Sequence, residues 1–419
     1  MYFMDRMPQS INYNPAIMPK MNFFLGLPGI SGVSIQSFNS GFNYNELDYF
    51  IDHLWDNNYN PDDFVNSIGS HNNFSTDANV NLLSIGFKLK KNDFLSFSLN
   101  ANSYLLNTAA SDIAYLLSDL DDITDEDFPI IVDDISILTN HYLSFGATYS
   151  RKINENLTVG ITPKINFNQA GLSTSGLKLR MDLIKSEFGE REYEESYYGD
   201  ITLGLFTEIN PDAIDGNELI TDAPLLPEDW QNDITLRNIL KNKSLTFDVG
   251  ATYEIDKWIF SASILNIGRS SFKSNSYKLH GNGNSVLVTE NEKVKIGIPA
   301  RIYIGASRQF APKWNYALLL NNNFYNTGSD ASATISLNGF VGNALSTSVS
   351  YTAGYKFDNL GIGLRMRFLP GTDLYLVTDN IIQAINYKNA YRVTMAIGIN
   401  IAVGVMKKNN IEIQEINNL

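Results

Sequence analysis

The sequence predicts an all-β fold: a transmembrane antiparallel β-barrel of about 14 strands, with 16 as the alternative. Three observations point there. Apolar and polar residues alternate with period two along many segments. Those segments run about 10–14 residues, against about 5–6 for a typical soluble strand and about 9–11 for a tilted strand crossing a bilayer. Short turns and long polar stretches separate them in alternation, as in barrels with short periplasmic turns and long extracellular loops.

The clearest alternation lies in residues 389–404. Tyr391, Val393, Met395, Ile397, Ile399, Ile401 and Val403 form one greasy face, and Arg392, Thr394, Ala396, Gly398, Asn400 and Ala402 form the other. Successive strand side chains point to opposite faces, so the first set is expected to meet lipid and the second a lumen. Residues 157–167, 296–308 and 360–368 repeat the pattern, which places Ile161, Ile298, Ile302 and Leu364 toward lipid. A soluble sandwich also alternates. The second face here, however, is rich in Gly, Ser, Thr and Asn with scattered Arg and Lys, as in a wet lumen.

Expected strands fall near 30–38, 79–90, 93–105, 140–152, 156–169, 172–185, 197–208, 243–255, 257–268, 295–309, 314–325, 345–357, 360–369 and 389–404. Residues 331–341 and 372–382 are unplaced, and adding both gives 16. Short turns at 90–93, 152–155, 255–257, 311–313 and 357–359 are assigned to the periplasmic end. Long stretches at 39–78, 106–139, 209–242 and 269–294 are assigned outside. Residues 46–55 and 109–120 carry a helical period within these loops. Residues 30–404 are thus the barrel and 405–419 a periplasmic tail.

Composition narrows the function. The chain has 419 residues, 31 Lys+Arg against 45 Asp+Glu, and a net charge of −14. That balance argues against nucleic acid, which is bound through clustered cations. Zero Cys excludes disulfides, thiolate metal sites and thiol nucleophiles, and suits passage through an oxidising compartment. No run of 18 apolar residues predicts a membrane-spanning helix. Met1–Arg6 lacks the basic and apolar regions of a signal peptide, so an exported chain is expected to be numbered from near its mature end.

No catalytic constellation emerges. His53, His71, His141 and His280 have no partners at metal-ligand spacing, and no nucleophile elbow or phosphate loop occurs. The acid run 121–127 reads as a solvated loop, with calcium the alternative. No enzyme activity, cofactor or metal is expected. Basic residues on the polar faces are more informative: Lys88, Lys164, Arg301, Arg365, Arg367 and Arg392 should point into the lumen. They either pair with acids of a lumen segment or form a cationic track.

Near the N-terminus stands Asn14-Pro15-Ala16, within a stretch carrying Pro8, Pro15, Pro19 and Pro28. This motif resembles the one near the mature start of the FadL-like long-chain fatty-acid transporter superfamily. The wider phrase through Leu25-Gly26-Leu27-Pro28-Gly29 is similar to a group of Bacteroidota outer-membrane barrels of the FadL/PorV class. The resemblance implies a 14-stranded barrel in which residues 1–29 fold into the lumen as a plug, with Asn14 and Pro15 expected near the axis. The prolines agree in part, since they disfavour a regular strand. The resemblance implies location in the outer membrane, with lipid or lipopolysaccharide and other envelope proteins as partners. It implies transport of hydrophobic or small solutes, or alternatively a non-transporting PorV-like shuttle or structural subunit of a secretion or barrel-assembly complex.

Overall fold

The computed structural model of the chain describes all residues except 1, 5, 28, 30, 42–70, 111–124, 186–190, 221–222, 291, 326–327, 343, 355–356, 382–390 and 404–419. Its strands are β1 (Phe23–Gly26), β2 (Gly32–Asn39), β3 (His71–Lys90), β4 (Asp93–Ala110), β5 (Ile130–Lys152), β6 (Leu157–Lys185), β7 (Arg191–Leu205), β8 (Ile214–Asp215), β9 (Glu218–Leu219), β10 (Lys243–Ile255), β11 (Trp258–Phe272), β12 (Ser276–Gly283), β13 (Val286–Glu290), β14 (Val294–Gly297), β15 (Ala300–Ala311), β16 (Trp314–Tyr325), β17 (Gly328–Val341), β18 (Leu345–Gly354), β19 (Phe357–Leu369), β20 (Thr372–Thr378) and β21 (Arg392–Val403).

β1 and β2 act as one wall strand, because both pair with β3 on one side and β21 on the other. The wall then runs β3, β4, β5, β6, β10, β11, β15, β16, β17, β18, β19, β20 and β21, antiparallel throughout, and closes on itself. This is a closed barrel of 14 strands. Closure pairs every wall strand on both sides, which an open sheet in lipid cannot do.

The expected number of strands is correct, but the membership differs. Residues 156–169 and 172–185 are one strand, β6, of 29 residues. The Ala170-Gly171 step reads as a turn, yet Gly171 is small for a packing reason: a Cβ there would stand 2.7 Å from Ile296 and 3.3 Å from Phe272. Residues 197–208 fall largely in β7, which lies outside the barrel wall. The two unplaced segments supply the missing wall strands, as β17 and β20.

Residues 295–309 are not continuous either. Pro299 separates β14 from β15, and β14 leaves the wall to pair with Arg269–Phe272 of β11. Ile298, expected to meet lipid, is therefore buried.

Turns joining β3–β4, β5–β6, β10–β11, β15–β16, β17–β18 and β19–β20 share one end of the barrel. The long connections lie at the other. The β18–β19 turn near 357–359, expected among the short set, sits at the long-loop end because β17 adds a strand before it.

Outward faces are greasy across the middle: Ile161, Leu364 and Ile397 are 44%, 40% and 42% exposed. Val393, Ile302 and Ile401 share that side, half-buried. Toward the short-turn end, Trp258, Phe260, Phe310 and Tyr316 pack ring on ring, the aromatic girdle expected at a membrane interface.

The rim is uneven. At about 3.3 Å per residue, β6 is about 95 Å long and the 7-residue β20 about 23 Å. Beyond the barrel, the far half of β6 pairs with β7, then β12, β13 and β9. This outer sheet has its own core of Leu203, Leu205, Ile209, Tyr277, Leu279 and Val288.

Of the loop expectations, 46–55 lies outside the described residues, 109–110 end β4 and 111–120 are outside. Within the acid run, 121–124 are outside and Asp125–Asp127 form a 3-10 turn. The 405–419 tail also lies outside them.

A chamber between plug and roof

Residues 2–22 sit inside the wall at the short-turn end. The segment is shorter than 1–29, since Phe23–Gly26 already belongs to the wall. Its centre is a 3-10 helix, Pro8–Asn12, with Pro8, Gln9, Ser10 and Ile11 buried. Asn14 then turns the chain: its Oδ1 accepts the Ala16 N–H at 2.9 Å, while Pro15 fixes φ. The same side chain reaches the wall through Nδ2, donating to the Ala251 and Ala262 carbonyls at 3.4 and 3.2 Å and to the Tyr2 hydroxyl at 2.9 Å. Ser150 Oγ donates to the Pro15 carbonyl at 2.5 Å, and Ser263 Oγ to that of Tyr13 at 2.7 Å. Asn14 and Pro15 therefore lie against the wall rather than on the axis. Two wall glycines admit them. A Cβ at Gly250 would be 2.0 Å from Asn14 Oδ1, and one at Gly160 2.1 Å from the Pro15 oxygen. Farther round, Gln9 and Asn400 exchange hydrogen bonds at 2.8 and 3.1 Å.

Above the plug is a cavity of about 200 Å³. Gln9, Ile11, Asn12 and Tyr13 form its floor, and its walls carry Asp77, Asn81, Asn100, Lys164, Asp248 and Arg301 among others. Arg301 of β15 pairs with Asp77 of β3, six strands away around a wall of 14, so this ion pair spans the lumen. Asparagine ladders line the wall, with Asn81 donating to Asn100 and Asn79 to Asn102, both at 2.7 Å.

A roof closes the far side. Tyr104 of β4 stacks on Tyr325 of β16, centroids 5.9 Å apart, again across the barrel. With them pack Leu106, Leu138, Phe272, Val294 and Ile296. A bulge makes this possible. β10 and β11 slip register between Phe247 and Val249, Asn266 adopts φ 59°, and Gly268 follows at φ 149°. The slip reverses which residues of β11 face inward, sending Ser270 and Phe272 into the lumen. Asp248 holds the bulge by accepting the Asn266 N–H at 2.8 Å and pairing with Lys164 Nζ at 2.6 Å.

The anticipated basic residues do not form one track. Lys164 and Arg301 line the chamber. Arg365 and Arg367 share Asp373 at 2.5 and 2.8 Å, and Arg392 reaches Asp330 at 3.4 Å near the long-loop end. Lys88 lies on β3 by the short turns. The acids that pair with the five lumen cations belong to wall strands β3, β10, β17 and β20, not to the plug. Those acids, together with Tyr104, Tyr325 and Asn266, escaped the sequence reading. Asp248 and Asp373 occupy inward positions of alternating strands, a parity signal that could have found them. Tyr104–Tyr325 had no such signal, because it depends on which strands face each other. Of the histidines, His280 Nδ1 lies 2.7 Å from Asp200 Oδ1 in the outer sheet, and His141 Nε2 lies 3.0 Å from Thr139 Oγ1.

Comparison with solved structures finds toluene transporters and a FadL homologue among those similar to this chain. The toluene transporter TbuX of Ralstonia pickettii is 9% identical, with 94% of each chain covered and a TM-score of 0.44. The toluene transporter TodX of Pseudomonas putida is 10% identical, covering 94% of this chain and 91% of that one, with a TM-score of 0.43. A FadL homologue from Pseudomonas aeruginosa is 7% identical, covering 95% and 94%, with a TM-score of 0.43. No curated protein sequence matches the chain. A family model matches residues 15–289 and 286–379, most of the barrel and the Asn14-Pro15-Ala16 turn apart from its first residue, and the chain therefore belongs to the family of unknown function DUF5723.

Proposed function

We propose that this chain is a gated conduit of the bacterial outer membrane that passes small solutes through its lumen. The observation that carries the reading is the chamber: a polar space closed below by a separable N-terminal segment and above by packed side chains. A barrel whose lumen served only as filler would need neither the space nor the segment. The lining of Asn, Asp, Lys and Arg favours polar cargo over the hydrocarbon cargo of the FadL resemblance, because apolar solutes leave such groups unpaired. Passage requires the plug to shift; it is held by hydrogen bonds, individually about 0.5–1.5 kcal/mol net, and by apolar contacts of Tyr2, Met4, Met7, Ile11 and Met21 with wall residues.

The outer sheet built on β6, β7, β12 and β13 favours a second reading, in which the barrel presents this tower to another envelope protein. That sheet has its own apolar core and adds nothing to the closed wall. Liposome swelling separates the two. Full-length protein should be nearly closed. A variant lacking residues 2–20 and carrying Tyr104→Ala should admit small sugars and amino acids, with folding verified by heat-dependent gel mobility. Failure of that folded double variant to conduct would remove the conduit reading and leave the partner reading.

A further inference from the structure

The bulge that builds the roof also leaves a recess on the outside of the barrel. Above Gly268, β11 turns inward with β14, and the β6–β10 ladder ends at Lys243 opposite Phe167. Between the departing ribbon and the wall lies a groove of about 760 Å³. The ribbon's inward face is the roof, Phe272 and Ile296. Its outward face presents Arg269, Lys273, Lys293 and Lys295, and Lys243 completes the set from β10. All five are exposed. Among the described residues lining the groove there is no carboxylate. The adjacent acid, Glu292, is engaged by Lys278 of β12. Five cations gathered without an acid stand out in a chain of net charge −14.

The lower edge of the same groove is apolar. Ile165 and Leu245 line it, 40% and 60% exposed, and Phe247 and Ile267 continue the greasy face toward the membrane centre. Cations directly above an outward apolar wall, at the rim of a barrel, match an amphiphile with an anionic head and alkyl chains. A free anion would have no use for the wall, and a hydrocarbon none for the lysines.

We infer that this recess binds a phosphorylated membrane lipid at the long-loop end of the barrel, with its phosphate among Arg269, Lys273, Lys293, Lys295 and Lys243 and its acyl chains on Ile165 and Leu245. Clustered Lys and Arg beside a membrane-spanning element are a recurrent head-group site. The site requires the barrel's seat in a bilayer and is independent of whether the lumen conducts.

The test is native mass spectrometry of the full chain in detergent, titrated with phosphatidylglycerol, phosphatidylcholine and lipid A. The wild type should retain phosphatidylglycerol or lipid A in a saturable stoichiometry, in preference to phosphatidylcholine. Lys273→Gln/Lys295→Gln should weaken that retention about fivefold for each cation removed. Both side chains are exposed, so folding should hold, as gel mobility would verify. Lys278→Gln, outside the groove, should retain lipid as the wild type does. Leu245→Ser should weaken lipid binding with every cation in place. Equal retention of phosphatidylcholine, or an unaltered lysine double variant, would overturn the proposal. So would inorganic phosphate displacing the lipid at equal molar concentration, since the site would then be one for free anions.

Discussion

The two ends of the lumen are closed by different means. At the short-turn end, the floor is a separate length of chain, residues 2–22, seated in clefts left by Gly160 and Gly250 and tied to the wall by hydrogen bonds from Asn14, Ser150, Ser263 and Gln9. At the long-loop end, the roof is made by a wall strand, β11, which turns inward after the Asn266 bulge and, with β14 paired to it, buries Phe272 and Ile296. Moving residues 2–21 breaks no ladder, because the chain enters the β3 and β21 ladders at Asn22, whose backbone bonds to Lys88 and Val403. Moving the roof disturbs β11, which is part of the closed ring. The floor too buries apolar side chains, Tyr2, Met4, Met7, Ile11 and Met21, against the wall, so opening either closure loses transfer energy. The difference is that the floor's hydrogen bonds can be exchanged for water without opening the ring. The floor is therefore the movable closure and the roof the fixed one.

The largest expected effect tests the roof. Phe272 is fully buried, and Phe272→Ala should cost about 3–5 kcal/mol, read as a lower denaturant midpoint for the folded barrel. An unchanged midpoint would mean that the roof is no more integral than the floor. The shared frame sets the next scale. Ile397 faces lipid midway along β21, and Ile397→Arg should cost about 2–4 kcal/mol and reduce the yield of assembled barrel. Leaving assembly untouched would contradict the lipid contact of that face.

The floor should respond more gently and more locally. Asn14→Ala removes its bonds to Ala251, Ala262, Tyr2 and Ala16, an effect of about 1–3 kcal/mol on docking of the segment. The chain has no Cys, so Ser10→Cys gives a single label site in a fully buried position of the plug. Maleimide labelling at that site should accelerate in Asn14→Ala while the barrel's gel mobility stays constant. Equal labelling rates would show that Asn14 does not seat the plug. Gly250→Ala, whose Cβ would collide with Asn14 Oδ1, should accelerate labelling in the same way.

The smallest effect belongs to the outer sheet, away from both closures. The hydrogen bond from Arg180 holds the Asp182 carboxyl below its usual range. A depressed carboxylate favours the fold above its unfolded value and loses that contribution as pH falls through the folded one. Arg180→Ala should return Asp182 toward about 3.9 in an NMR titration. The pair is solvent-exposed, so no measurable change in melting is expected. A marked drop in melting temperature would assign the outer sheet a structural role comparable with the roof.

Alternation by itself determined the barrel, because each lipid-facing residue must be apolar and each neighbour points into water or protein. Val393 through Val403 and Leu360 through Phe368 were legible for that reason. So was the inward aim of Lys164, Arg301, Arg365, Arg367 and Arg392, which follows from parity along a strand. The turn at Asn14-Pro15-Ala16 was legible as a kink, since its cause is local to three residues. Strand membership was not. Gly171 marks packing under Ile296 rather than a turn, and the loop-side half of β3, His71 to Asn79, has only Phe74 and Ala78 as apolar residues and so carries no clear alternation to read. The ion pairs of Arg301 with Asp77 and Arg392 with Asp330, the Tyr104–Tyr325 stack and the outer groove were decided only by tertiary structure. Each depends on which strands face one another across a closed ring, or on where a one-residue bulge reverses parity. Both are consequences of closure and register, which long-range pairing sets and local sequence does not encode.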